Sequence, residues 1–135
     1  MKSANRDEKK ALVVEDEPVI ARVCDRVLTA EGYHVDIAVN GMVARDMVGE
    51  EKYDLFLSDI RTPEMNGIEF YWYLKKEYPE LTDRVIFTTG DVLSDEVKAF
   101  VIKEPDVPLL SKPFAPDELR VVVRETMQRI ESPVS

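Results

Sequence analysis

The sequence is poor in the residues on which most metal and nucleophilic sites depend. Its 135 residues include one cysteine, Cys24, so no disulfide can form within the chain, and a reducing cytoplasm is the expected compartment. The one histidine, His34, excludes most zinc sites, because these need several His or Cys ligands. His34 lies at the start of an apparent strand, which favours a partly exposed strand residue over a catalytic one.

Long apolar runs are missing as well. No stretch reaches the about 18 residues that a membrane-spanning helix needs. The opening M-K-S-A-N-R-D-E-K-K has charges but no apolar segment, so it is not typical of a secretory signal. We expect a flexible N-terminal tail over residues 1–10, one folded domain over 11–131 and a short C-terminal tail over 132–135.

Negative charge is in excess. The chain carries 27 Asp and Glu against 18 Lys and Arg, a net charge of −9. Such a domain repels phosphate backbones, so direct binding to nucleic acid is not expected. The hydrophobic share of 44% is enough for one buried core.

Five short apolar runs alternate with five segments of helical period. The strands are predicted over 11–14, 34–38, 54–58, 84–88 and 107–110, and the helices over 18–31, 41–49, 67–78, 94–102 and 116–130. This alternation predicts an α/β fold with a doubly wound parallel sheet, buried on both faces. The flavodoxin-like strand order 2-1-3-4-5 suits five strands, with a ligand crevice at the carboxyl ends of strands 1 and 3.

Polar side chains follow four of these strands. Glu15 and Asp16 follow strand 1, Asp59 follows strand 3, Thr89 follows strand 4 and Lys112 follows strand 5. Crowded carboxylates need a proton or a cation, and a hard cation such as Mg²⁺ or Mn²⁺ prefers oxygen ligands. Each residue alone is equally compatible with an ordinary turn. Together they predict a phosphoryl-transfer site in which a carboxylate is the nucleophile.

Four segments occur in the order that a known family shows. They are V-V-E-D-E-P, S-D-I-R-T-P-E-M-N-G, T-T-G-D and S-K-P-F. Over about residues 11–130 the chain resembles a response regulator receiver domain of two-component signalling. The resemblance implies Mg²⁺-dependent transfer of a phosphoryl group from a phosphohistidine to Asp59. The donor would be a sensor histidine kinase or a phosphotransfer protein, and the chain would catalyse only its own phosphorylation and slow dephosphorylation.

The resemblance also implies a metal site. Asp59 corresponds to the phosphorylated aspartate and Asp16 to a direct metal ligand. Glu15, where many family members have Asp, would hold the metal through water. The backbone carbonyl of Arg61 would complete the ligands from the protein.

Other roles follow from the same resemblance. Lys112 corresponds to the lysine that binds the phosphoryl group, and its bond to Pro113 is expected to be cis. Thr89 corresponds to the switch hydroxyl. Thr88 is the alternative candidate for the switch hydroxyl, but we predict that it lies within strand 4. Leu109 replaces an aromatic residue that often accompanies the switch, so an aliphatic variant of the switch is expected.

Two charges lie just beyond the reacting positions. Arg61 and Asp91 come two residues after Asp59 and Thr89, at positions that affect phosphoryl hydrolysis in the family. They either pair across the mouth of the site and restrict attacking water, or remain two independent solvated charges.

Several alternatives stay open. The chain is a stand-alone regulator or a module of a hybrid histidine kinase, and its output would pass by protein contact through helix 4, strand 5 and helix 5. A phosphorylation-linked homodimer on that surface is a further option.

A Mg²⁺-dependent phosphohydrolase is less favoured, because Asp59 is not followed by a second acid at Arg61. A flavin mononucleotide binder is disfavoured because E-D-E-P would repel phosphate. A receiver that works only as an adaptor also remains an alternative.

Overall fold

Five parallel strands form one sheet in the order β2-β1-β3-β4-β5. The computed structural model describes residues 8–131. The predicted fold class and strand order are confirmed. Residues 1–7 of the predicted N-terminal tail, and the predicted C-terminal tail over 132–135, lie outside the described residues.

The helices lie between the strands in strict alternation. The strands are β1 (Lys9–Val14), β2 (Tyr33–Ala38), β3 (Leu55–Asp59), β4 (Val85–Thr89) and β5 (Leu109–Ser111). The helices are α1 (Pro18–Ala30), α2 (Gly41–Val48), α3 (Gly67–Glu77), α4 (Asp95–Lys103) and α5 (Pro116–Glu131). A 3₁₀ helix over Pro79–Arg84, which was not predicted, joins α3 to β4. Across residues 8–131, no helix has the length and hydropathy that crossing a membrane would require.

The first strand begins earlier than predicted. Lys10 and Asp54 exchange hydrogen bonds: the Lys10 amide donates to Asp54 Oδ2 at 2.9 Å, and the Asp54 amide donates to the Lys10 carbonyl at 2.8 Å. Lys9 and Lys10 also pair in register with Tyr33 and His34 of β2, so two residues assigned to the predicted tail belong to the sheet. At the same end, the Lys9 ammonium lies 2.5 Å from the carboxylate of Glu131, the last residue of α5.

Both faces of the sheet are buried, which explains the unbroken apolar runs of its strands. One face packs on α2, α3 and α4, and its buried strand residues are Leu12, Val14, Ala38, Phe56, Val85 and Phe87. The other face packs on α1 and α5, and its buried strand residues are Ala11, Val13, Tyr33, Leu55, Leu57, Ile86 and Leu110.

Side-chain caps fix where the helices start. Asn40 and Ser94 accept hydrogen bonds from backbone amides in the first turns of α2 and α4. Asn66 and Glu69 form a complete capping box at the start of α3. These helices therefore begin at the carboxyl edge of the sheet, where the polar residues gather.

The β3–β4 pairing settles where Asp59 lies. Asp59 is the last residue of β3 and pairs in register with Thr88, and the Ile60 amide donates to the Thr88 carbonyl at 2.9 Å. The carboxylate thus ends a buried strand rather than starting an exposed turn, and only 6% of the residue is exposed.

Gly67 allows α3 to start directly against the end of β3. A Cβ atom at this position would lie 2.4 Å from the Asp59 carbonyl oxygen and 2.9 Å from Ser58 Oγ. The Gly67 amide donates to the Ile60 carbonyl at 2.9 Å, which holds the helix there. Any side chain would push α3 away from the backbone that carries Asp59.

We expect Gly67→Ala to lower the free energy of unfolding by about 1–3 kcal/mol, because backbone must move to admit the methyl group. Urea denaturation measures this change. Gly90→Ala is the matched control, since no atom lies within 4 Å of a Cβ atom built there. Equal urea midpoints for the two variants would contradict the prediction.

Candidate functional site

Three carboxylates meet at the carboxyl edge of the sheet. One carboxylate oxygen from each of Glu15, Asp16 and Asp59 lies within 4.8 Å of the others. Glu15 and Asp59 are buried, whereas Asp16 is exposed. Burial raises the pKa of both buried carboxyl groups, and the nearby Lys112 ammonium partly offsets that rise. The carboxylates that sequence analysis assigned to the ends of strands 1 and 3 are therefore adjacent in space.

Lys112 bridges the two buried carboxylates. Its ammonium lies 3.1 Å from Glu15 Oε1 and 3.2 Å from Asp59 Oδ2. Burial lowers the pKa of Lys112, but its contacts with the two carboxylates outweigh that effect and raise it overall. The Lys112–Pro113 bond is cis, as expected.

Glu15 makes a contact that sequence analysis missed. Its role as a water-mediated metal ligand stays a prediction; its side chain contacts Lys112 directly and accepts a hydrogen bond from the Glu17 amide at 3.2 Å. Glu is one methylene longer than the Asp that many family members have here. That extra reach is the feature of the sequence that could have indicated the ion pair.

The two threonines of β4 are not separated as predicted. Both Thr88 and Thr89 belong to the strand and both are buried, so Thr89 does not lie beyond the strand end. Thr88 pairs in register with Asp59. The Thr89 hydroxyl accepts a hydrogen bond from the Asp91 amide at 3.1 Å, and the Thr89 carbonyl accepts one from the Lys112 amide at 2.7 Å. Thr89 is thus fixed to the segment that carries Lys112.

Arg61 and Asp91 lie close together at the rim. The Arg61 guanidinium is 3.7 Å from Asp91 Oδ2, and their side chains are 64% and 54% exposed. The Arg61 amide also donates to Asp59 Oδ1 at 3.4 Å, which places the loop after β3 beside the carboxylate.

The donor set fits a hard divalent cation. Three carboxylates against one ammonium leave a net charge of −2 when all four groups are ionised, and all three candidate ligands of the cluster are oxygens. Mg²⁺ and Mn²⁺ prefer such ligands and would offset the repulsion. Asp16, as the exposed member, is open to a cation that arrives from solvent.

An apolar groove adjoins the site. It has a volume of about 290 Å³ and is lined by Val19, Ile20, Val23, Pro113 and Phe114, together with Lys112. Val19, at the start of α1, is 68% exposed. The carboxylate cluster is therefore bordered on one side by a surface suited to an apolar partner.

Comparison with known proteins agrees with this geometry. Residues 11–124 match the family model of the response regulator receiver domain. An uncharacterised transcriptional regulatory protein of Bacillus subtilis, YkoG, is 35% identical over 118 residues, which is 87% of this chain and 50% of that protein. The chain spans about half the length of the curated relatives it matches.

Solved structures show the same fold. A CheY-like receiver domain from Methanospirillum hungatei has a TM-score of 0.81 at 28% identity, with 93% of this chain and 98% of that one covered. The response regulator TrrA from Thermotoga maritima, in complex with Mg²⁺ and a beryllium fluoride, has a TM-score of 0.73 at 29% identity, with 87% and 98% covered. The matched residues include the whole carboxylate cluster, Lys112 and the rim, and this chain belongs to the response regulator receiver domain family.

Proposed function

We propose that Asp59 is the phosphoryl acceptor of this receiver domain. The observation that carries the proposal is the buried Asp59 carboxylate with the Lys112 ammonium 3.2 Å away. A carboxylate oxygen of Asp59 attacks the phosphorus of a phosphohistidine, the P–O bond forms as the P–N bond breaks, and the leaving imidazole takes a proton. Lys112 then neutralises charge on the transferred phosphoryl group.

A divalent cation completes the site in this proposal. Asp16 and Asp59 would hold it directly, Glu15 through water, and the Arg61 carbonyl would supply the remaining protein oxygen. When bound, Mg²⁺ or Mn²⁺ would offset the charge of these carboxylates and of the incoming phosphoryl oxygens. The acidic cluster supports this role, and so does the TrrA structure, which contains Mg²⁺ and a beryllium fluoride.

Thr89 is the proposed switch hydroxyl. Thr89 ends β4, and its carbonyl accepts a hydrogen bond from the Lys112 amide. A change at the phosphoryl group would therefore pass through Lys112 and Thr89 to β4. Thr88 lies in register with Asp59 and remains the competing choice.

The proposed output surface is formed by α4, β5 and α5. Ile102 of α4 is 80% exposed and Val121 of α5 is 52% exposed, which leaves apolar side chains available to a downstream protein or to a second copy of the chain. Phosphorylation would shift the population of two arrangements of this surface.

The proposed phosphodonor is a histidine kinase or a phosphotransfer protein that binds the groove beside Lys112. The donor must bring a phosphohistidine to Asp59, and the apolar surface around Val19 and Phe114 is next to that carboxylate. A donor with an apolar patch beside its histidine would fit this groove.

The remaining features of the proposal follow from charge and composition. We place the domain in the cytoplasm, in keeping with its single, buried cysteine. It catalyses its own phosphorylation and slow dephosphorylation and no other reaction. Its net charge of −9 argues against direct contact between this domain and nucleic acid.

The central test is phosphorylation by a small-molecule donor. Incubation with acetyl phosphate and Mg²⁺ should add the mass of one phosphoryl group to the wild-type protein and none to Asp59→Asn. Asp46→Asn, at an exposed position on α2, is the control and should be modified like wild type. Modification of Asp59→Asn to the wild-type extent would overturn the assignment.

Cation binding should stabilise the folded protein. At a hundredfold excess of Mg²⁺ over Kd, unfolding should cost about 2–3 kcal/mol more, and Asp16→Asn should lose that gain. Thermal unfolding with and without Mg²⁺ at constant ionic strength measures it, with Asp46→Asn as the control. A full Mg²⁺ effect in Asp16→Asn would contradict a ligand role.

The pKa shifts of Glu15 and Asp59 determine whether the folded protein becomes more or less stable as pH rises. Because the folded state raises the pKa of Glu15 and Asp59, it retains protons that the unfolded state releases. In the absence of Mg²⁺, these two groups therefore make the protein less stable as pH rises through the window between their ordinary and raised pKa values. The stabilisation by Mg²⁺ should grow across the same window, since protons and the cation compete for the carboxylates.

The rim pair should set the phosphoryl lifetime. We expect Arg61→Ala to shorten the lifetime of phospho-Asp59 by about two- to fivefold, the effect of losing an exposed ion pair that shields the site. Asp91→Ala should act similarly, and the double variant no more strongly than either single change. Dephosphorylation followed by intact mass tests this. If Arg61→Ala leaves the lifetime unchanged, the two residues act as independent solvated charges.

A further inference from the structure

Four aromatic rings connect β4 to the helices on one face of the sheet. The rings of Tyr71, Phe87 and Phe100 lie 5.1 to 5.8 Å apart, centroid to centroid, and Trp72 lies 5.6 Å from Phe100. Phe87 is two residues before Thr89 on the same strand. The end of β4 is therefore linked to α3 and α4 by directly packed rings.

A polar contact, the Glu104 clasp, joins the end of α4 to α3. The Tyr71 hydroxyl donates to Glu104 Oε1 at 2.7 Å, and the Lys75 ammonium donates to Oε2 at 2.8 Å. Glu104 is the C-cap of α4, where the helix dipole disfavours a negative charge. The two partners on α3 therefore supply the stabilisation that the carboxylate lacks in its own helix.

Besides this clasp, α4 is held by Phe100 in the ring cluster and by a hydrogen bond from the Asn66 side chain to Glu96 at 3.3 Å. Of its nine residues only Val97 and Phe100 are buried, whereas α3 buries five of eleven. Tyr71, Lys75 and Glu104 also line a polar pocket of about 200 Å³, which gives the Glu104 carboxylate room to become hydrated when it leaves its partners. Loss of the clasp would therefore expose the Glu104 carboxylate to water rather than leave it buried and unpaired.

We propose that the Glu104 clasp restrains α4 in the unphosphorylated domain and that phosphorylation at Asp59 opens it. The inference rests on the proposed function. In this chain the packed rings of β4, α3 and α4 transmit the signal, in keeping with the aliphatic Leu109 on β5. The surface between α3 and α4 is then a readout surface in its own right. Because coupling is reciprocal, a weaker clasp must favour the phosphorylated form.

Trp72 reports on this surface directly. It is the only tryptophan in the chain, and the ammonium groups of Lys75 and Lys103 each lie 5.9 Å from the centre of its ring. Beryllofluoride with Mg²⁺ serves as the phosphoryl mimic. It should shift the Trp72 emission of the wild-type protein to the red and leave Asp59→Ala unchanged.

The decisive variant is Glu104→Gln, which keeps the size of the side chain and removes its charge. Its emission without beryllofluoride should already be shifted towards the red, and it should bind beryllofluoride roughly two- to fivefold more tightly, as measured by the ¹⁹F resonance of the bound mimic. Glu77→Gln makes the same charge change at an exposed site on α3 and should match the wild type.

The outcomes separate the two proposals. Failure of beryllofluoride to bind at Asp59 would overturn the proposed function and the clasp together. If the ¹⁹F resonance shows bound mimic in the wild type, while Glu104→Gln has wild-type emission and wild-type affinity, the clasp proposal alone is overturned. Equal effects of Glu77→Gln and Glu104→Gln would also overturn it, since net charge would then explain both.

Discussion

The contact between Lys112 and two buried carboxylates is the interaction on which the site depends. Glu15 and Asp59 are almost fully buried, and without a cation beside them their repulsion would disfavour the folded state. The Lys112 ammonium links the ends of β1 and β3 to the segment that follows β5. A buried ion pair adds little net stability, but it fixes geometry, and here it holds the candidate nucleophile next to the group that would receive phosphoryl charge.

The sheet makes that contact possible by delivering each residue at its carboxyl edge. Gly67 lets α3 begin against the backbone of Asp59, and the Asn66 cap fixes where the helix starts. Between its two ends the sheet is packed on both faces by apolar clusters, so the carboxylate cluster stands at the end of a hydrophobic core. The residues of the site thus lie at the strand ends, whereas the residues of the hydrophobic core lie within the same strands.

Much of this arrangement could be predicted from sequence, because the hydrophobic residues of the strands and helices recur with clear periods. The buried strands read as apolar runs, their alternation with helices specified the topology, and Asp59 was placed at the end of β3. The features that were missed depend on contacts between distant segments. The first strand begins at Lys9 because Lys9 and Lys10 pair with Tyr33 and His34 of β2, and the register of Thr88 is set by β3.

The site shows the same limit. Glu15 and Lys112 are 97 residues apart, and apart from the extra methylene of Glu15 no local pattern indicates that they touch. The Glu104 clasp likewise depends on how α3 and α4 pack, which the amphipathic pattern of each helix does not specify. Composition and period therefore located the functional edge of the sheet, whereas the individual ion pairs needed the three-dimensional structure.

The ion pair between Lys9 and Glu131 has a consequence for how such a domain is combined with others. It places the start of β1 and the end of α5 side by side, at the edge of the sheet opposite the carboxylates. A longer polypeptide could enter and leave the domain at one small patch, which makes insertion between other domains entropically inexpensive. Neighbouring domains attached there would leave the phosphoryl-accepting edge open to a partner protein.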